Sequence, residues 1–169
     1  MKVCKFGGTS MANAECIKRV RDIIAADEQV AYVVVSAPGK REKSDTKVTD
    51  LLYACFDDVN VGKSPVEAFA PVKERFDSII KGLGLTMDLS DEYTEIENRL
   101  AAGATKDYIA SRGEYLSAIV LAGALGWKFV DAADFVRFDD NGNFLADETN
   151  TYARALFHNV KRAIIPGFY

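Results

Sequence analysis

QVAYVVVSA, residues 29–37, is the stretch on which the architecture turns. It is β-branched and apolar almost throughout, with no polar residue alternating along it, so it reads as a central strand covered on both faces. On its N-terminal side, KVCKF (2–6) reads as a short buried strand and MANAECIKRVRDIIAA (11–26) as the helix after it. Ile17, Val20 and Ile24 recur there at helical spacing, with Lys18, Arg21 and Asp22 turned outward. On its C-terminal side, the polar loop PGKREKSDTK (38–47) leads to VTDLLYACFDD (48–58), a helix with Thr49 near its start as the capping residue. Residues 64–85 and 88–103 carry two amphipathic helices around GLGLT, and DYIASRGEYLSAIVLAGALG (107–126) a long helix that stops near Gly126. KFVDA (128–132) is a third strand, FVRFDDNGNFLA (135–146) an Asn-Gly hairpin, ETNTYARALFHNVK (148–161) a helix and RAIIPGFY (162–169) a fourth strand. Strands alternating with helices imply an α/β fold with a largely parallel sheet.

At 169 residues the chain is one domain or part of a larger one. Its 49% hydrophobic and 27% charged residues are those of an ordinary globular protein. A formal net charge of −4 argues against a nucleic-acid surface, where a basic face is expected. The apolar runs are too short to span a bilayer, and no export signal opens the chain, so no membrane partner is expected. Cys4, Cys16 and Cys55 are odd in number and lack C-x-x-C spacing, which fits a reduced cytoplasmic location. With His158 as the single histidine, a zinc site is not expected.

Two local patterns imitate binding motifs. Gly62-Lys63-Ser64 has the tail of a phosphate-binding loop, but Asp57 stands where that pattern needs its first glycine. Asp139, Asn141, Gly142 and Glu148 match calcium-loop positions, yet Arg137 occupies the first, where the ion needs a carboxylate. No G-x-G-x-x-G is present.

KFGGTS, Lys5 to Ser10, carries more chemistry. A strand ending in a Gly-Gly turn just before a helix can aim successive N–H groups at one anion, with Lys5 beside it. The competing reading is a plain strand–helix turn with a solvated lysine. Ser36, Ala37 and Gly39 lie past the carboxyl end of the central strand, the usual place for ligands in open parallel sheets. SRGE (111–114) puts a glycine inside a good helix, at about 1 kcal/mol relative to alanine, which a close approach by backbone or ligand would explain. Glu114 follows it, and a structural ion pair is its alternative role.

KFGGTS, VSA followed by VTDLL, SRGE and the ending IIPGFY, in this order, resemble the aspartokinases of the amino acid kinase family. The resemblance implies a three-layer α/β/α sandwich. It also implies ATP-dependent phosphorylation of the side-chain carboxylate of L-aspartate to 4-phospho-L-aspartate, the first step of lysine, threonine and methionine synthesis. By that resemblance Lys5 contacts the transferring phosphate, and Gly7, Gly8 and Ser10 belong to the turn that cradles it. Thr49 and Glu114 match the aspartate-binding threonine and glutamate, and Ser36 and Ala37 the backbone wall of that pocket. The implied cofactors are ATP and Mg²⁺, and the implied assembly is a homo-oligomer of the complete enzyme. Residues 1–169 correspond to the N-terminal, substrate-binding portion of the catalytic domain. The ATP-binding portion and the ACT regulatory domains are expected beyond it, and these residues alone are expected to be inactive. The alternative is a non-catalytic module that binds aspartate or phosphate.

Overall fold

A computed structural model describes residues 1–168; Tyr169, the last residue of the expected fourth strand, lies outside the described residues. Ten main elements follow in order: β1 (Lys2–Phe6), α1 (Ala14–Ala25), β2 (Val30–Val35), α2 (Val48–Asn60), α3 (Pro65–Leu83), α4 (Ser90–Ala101), α5 (Lys106–Leu125), β3 (Lys128–Phe129), α6 (Ala146–Phe157) and β4 (Ala163–Pro166). The four strands form one sheet in the order β1-β2-β4-β3, every pair parallel. The α/β class and the parallel sheet expected from the sequence are therefore present, and β2 is interior to the sheet.

Its two faces are covered unequally. Val33 and Val35 of β2 join Ile164 of β4 in a core built with α1 to α5, where Phe69, Phe76, Leu116 and Leu121 are fully buried. Tyr32, Val34 and Ile165 point the other way, into a smaller cluster with Leu156 and Phe157 of α6 and Phe135. Helices thus lie on both faces, with Phe157 of α6 packed edge-on against Tyr32 of β2 at 5.0 Å on the second one. Over β1 that face is open: Val3, in register with Tyr32, is 65% exposed. β2 is accordingly only half-buried at Tyr32 and Val34, less enclosed than its unbroken apolar run suggests.

Local chemistry accounts for the other departures. α1 begins at Ala14 because the Asn13 side chain accepts from the Cys16 N–H at 2.9 Å, and residues 8–11 form a separate 3-10 turn. Thr49 is not the cap of α2. Lys47 precedes that helix without a side-chain cap, and Thr49 stands inside its first turn. β3 is cut to two residues because Asp131 turns the chain, accepting from the Ala133 N–H at 3.1 Å. The hairpin consists of one antiparallel bridge, Phe138 to Phe144, closed by Gly142 at φ +80°. Asp139 is spent inside that turn, accepting from the N–H groups of Asn141 and Asn143. Gly62-Lys63-Ser64 is the α2–α3 connection, with Lys63 paired to Asp58 at 2.9 Å. His158 is exposed just beyond α6. Among the described residues no helix is long and apolar enough to cross a membrane.

The asymmetry of the sheet can be measured. Ile164→Ala removes a fully buried side chain from an interior strand and should cost about 2–5 kcal/mol in urea unfolding. Val3→Ala, on the open face, should change stability by no more than about 0.5 kcal/mol.

Candidate functional site

The carboxyl ends of β1, β2 and β4 are tied together by backbone. The Ser36 N–H donates to the Phe6 carbonyl at 3.1 Å, and the Gly167 N–H to the Val35 carbonyl at 3.0 Å. Lys5, Ser36, Ala37 and Gly167 therefore meet at one end of the sheet, where open parallel sheets place their ligands.

The two glycines of KFGGTS have different physical reasons. A Cβ on Gly8 would lie 2.9 Å from the Ala37 carbonyl oxygen, and one on Gly39 would lie 2.8 Å from the Gly8 carbonyl carbon. Two loops cross here with backbone against backbone, joined by the Gly39 N–H donating to the Gly8 oxygen at 2.8 Å. Gly8 is thus required by packing. Gly7 is not: a Cβ there meets nothing within 4 Å, and φ −76°, ψ 172° suits any residue. Its bare backbone faces open space. The amino end of α1 is satisfied by Asn13, so the anion-binding capacity of this corner rests on Lys5 and the turn rather than on a helix end. Ser10 sits at the far side of that turn, its N–H bonded to the Gly7 oxygen at 2.9 Å.

Gly113 is a second close approach. A Cβ there would stand 2.8 Å from the Ala37 Cβ and 3.0 Å from Leu52 Cδ1. Its absence lets α5 press against Ala37 and against α2, which brings Glu114 to the strand ends. A side chain on Gly167 would come within 2.9 Å of Glu114 Oε2.

Glu114 has no ion pair. Oε2 is buried and has no hydrogen-bond partner among the described residues. Burial pushes its carboxyl above the ordinary glutamate value. The Lys5 charge, the Ala37 and Gly167 amides and the Ser36 hydroxyl pull the other way and are outweighed. The carboxylate borders a cavity of about 280 Å³ lined also by Thr49, Tyr53, Ala110, Gly167 and Phe168. That volume lies at the lower end of ligand pockets, which run about 300–1,000 Å³. Among the described residues no group of three acidic, histidine or cysteine side chains is placed to hold a metal ion.

Of the residues singled out from sequence, Glu114, Ser36, Ala37 and Lys5 converge, and Thr49 joins them across the cavity. Gly7, Gly8 and Ser10 form the adjoining turn. Tyr53, Ala110 and Gly167 were not legible as lining residues, because they belong to three elements distant in sequence. Arg75 was also missed, although a lone cation on the apolar stripe of α3 could have marked it.

Residues 1–169 match the amino acid kinase family. Aspartokinase 3 of Bacillus subtilis is 33% identical over all of this chain, which covers 40% of that protein. Chloroplastic aspartokinase 1 of Arabidopsis thaliana is 30% identical over 98% of this chain and 33% of its own length. The crystal structure of Clostridium acetobutylicum aspartate kinase superposes with a TM-score of 0.94 at 38% identity, covering 99% of this chain and 39% of that one. Escherichia coli aspartokinase III, solved with aspartate and ADP, shares the fold at a TM-score of 0.74 and 22% identity, over 97% of this chain and 39% of its own. The chain spans 33–40% of the length of these relatives.

The packing role of Gly113 gives a prediction opposite to helix propensity. Gly113→Ala should gain about 1 kcal/mol of propensity yet lose more to overlap, for a net destabilisation of about 1–2 kcal/mol in urea unfolding.

Proposed function

The chain belongs to the amino acid kinase family, and we propose that it is the aspartate-binding portion of an aspartokinase. The reaction is ATP-dependent phosphorylation of the side-chain carboxylate of L-aspartate, the entry to lysine, threonine and methionine synthesis. The observation that carries this reading is Glu114, half-buried beside a small cavity at the ends of the strands, with its buried Oε2 lacking a hydrogen-bond partner among the described residues. A buried carboxylate without a cation is costly, and the ammonium of an amino acid supplies that cation. A dicarboxylate lacking the ammonium would leave Glu114 unpaired, which selects for aspartate. Thr49, which is not the cap of its helix, lines the same cavity, and Ser36 and Ala37 lie beside Glu114 at the strand ends.

The attacking group is a carboxylate, already ionised at neutral pH, so no general base is required. The barrier to be lowered is the repulsion of two anions, and positioned positive charge lowers it. Lys5, on the rigid end of β1, supplies an ammonium there, and the open backbone at Gly7 lets an anion approach. Gly8 acts by holding the turn, with Ser10 at its far side. ATP supplies the phosphoryl group when bound. Mg²⁺ belongs to the same proposal, and Lys5 and the turn at Gly7 supply contacts to the anions beside it. A cytoplasmic location and a homo-oligomeric complete enzyme belong to the same proposal.

Two measurements on the kinase containing this chain test it. Lys5→Ala should lower kcat by roughly 10²–10³ with little change in aspartate affinity, because a preorganised charge is lost from the transferring phosphate. Near-normal turnover would remove Lys5 from the mechanism.

The second concerns pH. The folded-state pKa of Glu114 is raised, so protonation stabilises the unliganded fold at low pH, and that contribution is lost as pH rises through the raised value. Aspartate needs the ionised form. Its KM should therefore climb as pH falls through the raised value, beginning above the ordinary glutamate range. Glu114→Gln should raise KM by about 10–100-fold at neutral pH and flatten that dependence. An unchanged KM and pH profile in a folded variant would return Glu114 to a structural role.

A further inference from the structure

α3 presents an apolar stripe to the core, Ala68, Phe69, Val72, Phe76, Ile79 and Ile80, and Arg75 lies in the same buried face, 4% exposed. A guanidinium there is unfavourable unless its donors are matched. The partners of Nη1 and Nη2 all come from one loop. Nη2 donates to both carboxylate oxygens of Asp45, at 2.8 and 2.9 Å, and to the Thr46 carbonyl at 3.0 Å. Nη1 donates to the Gly39 carbonyl at 3.1 Å. From the solvent side, Arg41 closes on the same carboxylate through Nε and Nη2, both at 2.9 Å, and through its backbone N–H at 2.8 Å.

The peptide groups of Gly39 carry this anchor onward. Its carbonyl is held by Arg75, while its N–H is bonded to the Gly8 oxygen in the turn after Lys5. Two residues before Gly39 is Ala37, which packs against α5 at Gly113 and whose amide acts on the Glu114 carboxyl. The loop closes with the Val48 N–H on the Pro38 carbonyl at 3.0 Å, one residue before Thr49. One side chain, outside the cavity and remote in sequence, thus contacts the loop that joins three parts of the site.

We propose that Arg75 is a positioning residue: its buried guanidinium sets the β2–α2 loop on Asp45, and through Gly39 holds the glycine turn beside Lys5 and the aspartate wall in register. An apolar residue at position 75 would pack the core as well and leave the loop without its anchor. That is why a cation stands in an apolar stripe. The consequence for substrate rests on the aspartate reading above; the mechanical coupling of loop and turn does not.

The test uses amide hydrogen exchange on the kinase containing this chain, with three substitutions. Arg75→Lys keeps the charge but cannot reach Asp45, Thr46 and Gly39 together. Asp45→Asn keeps the shape and removes the charge, and decides the matter if Arg75→Lys fails to fold. Lys73→Gln is the control, since it breaks the 2.6 Å pair of α3 with Glu97 of α4 and leaves the loop alone. In Arg75→Lys and Asp45→Asn, segments 7–11 and 38–48 should exchange roughly tenfold or more faster, with α4 unchanged. Lys73→Gln should not accelerate segment 7–11. Wild-type exchange at 7–11 in the loop variants, or acceleration there only in step with the whole protein, overturns the proposal. An L-aspartate titration read by calorimetry accompanies it, and affinity should fall about tenfold in both loop variants. Coupled exchange in a kinase whose wild type does not bind L-aspartate would support the positioning role and overturn the aspartate reading. Coupled exchange with unchanged aspartate affinity would overturn the positioning of the aspartate wall.

Discussion

The site depends on one place where two backbones cross without side chains. Gly8 and Gly39 approach so closely that a methyl group on either would overlap the other's main chain or its neighbours. The hydrogen bond from Gly39 to Gly8 then joins the loop after β1 to the loop after β2. Because parallel strands end on the same side of a sheet, this crossing turns two separate strand ends into one wall. A third glycine, Gly113, lets a helix close on that wall, and Gly167 leaves room for the carboxylate that the helix brings. Absent Cβ atoms thus shape the corner at four points.

Two carboxylates near this corner are treated in opposite ways. Asp45 lies between two guanidinium groups, and hydrogen bonds from Arg41 hold its carboxyl well below the usual range. It stays ionised, and its task is mechanical. Glu114 is half-buried, its Oε2 has no hydrogen-bond partner among the described residues, and burial pushes its carboxyl up. A satisfied carboxylate holds the loop, while the other keeps one oxygen unmatched beside a cavity. The difference separates a structural ion pair from a ligand-binding group more clearly than residue type does.

Much of the fold was legible in particular residues. The apolar run of β2 marked the interior of the sheet, Asn141-Gly142 marked the hairpin, and Gly84 and Gly126 end α3 and α5 in the left-handed conformation that favours glycine. Strand and helix periods, and glycines at positive φ, are local properties, so sequence alone carries them. Boundaries that depend on a side chain reaching back to a backbone group were less legible. Asn13 delays α1, and Asp131 shortens β3.

The sequence by itself determined the alternation of strands and helices, and through KFGGTS, VSA, VTDLL and SRGE it determined which residues deserved attention at the site. Only the tertiary structure decided what each of them does in the fold. Gly8 and Gly113 prove to be contacts between segments, Thr49 a cavity residue instead of a cap, and Arg75 a loop anchor within an apolar stripe. The physical reason is range. Helical period, turn conformation and β-branching act within a few residues, and a sequence displays them in order. Overlap of two backbones, or the matching of a buried guanidinium by a loop 30 residues away, exists only once the sheet has brought distant segments together.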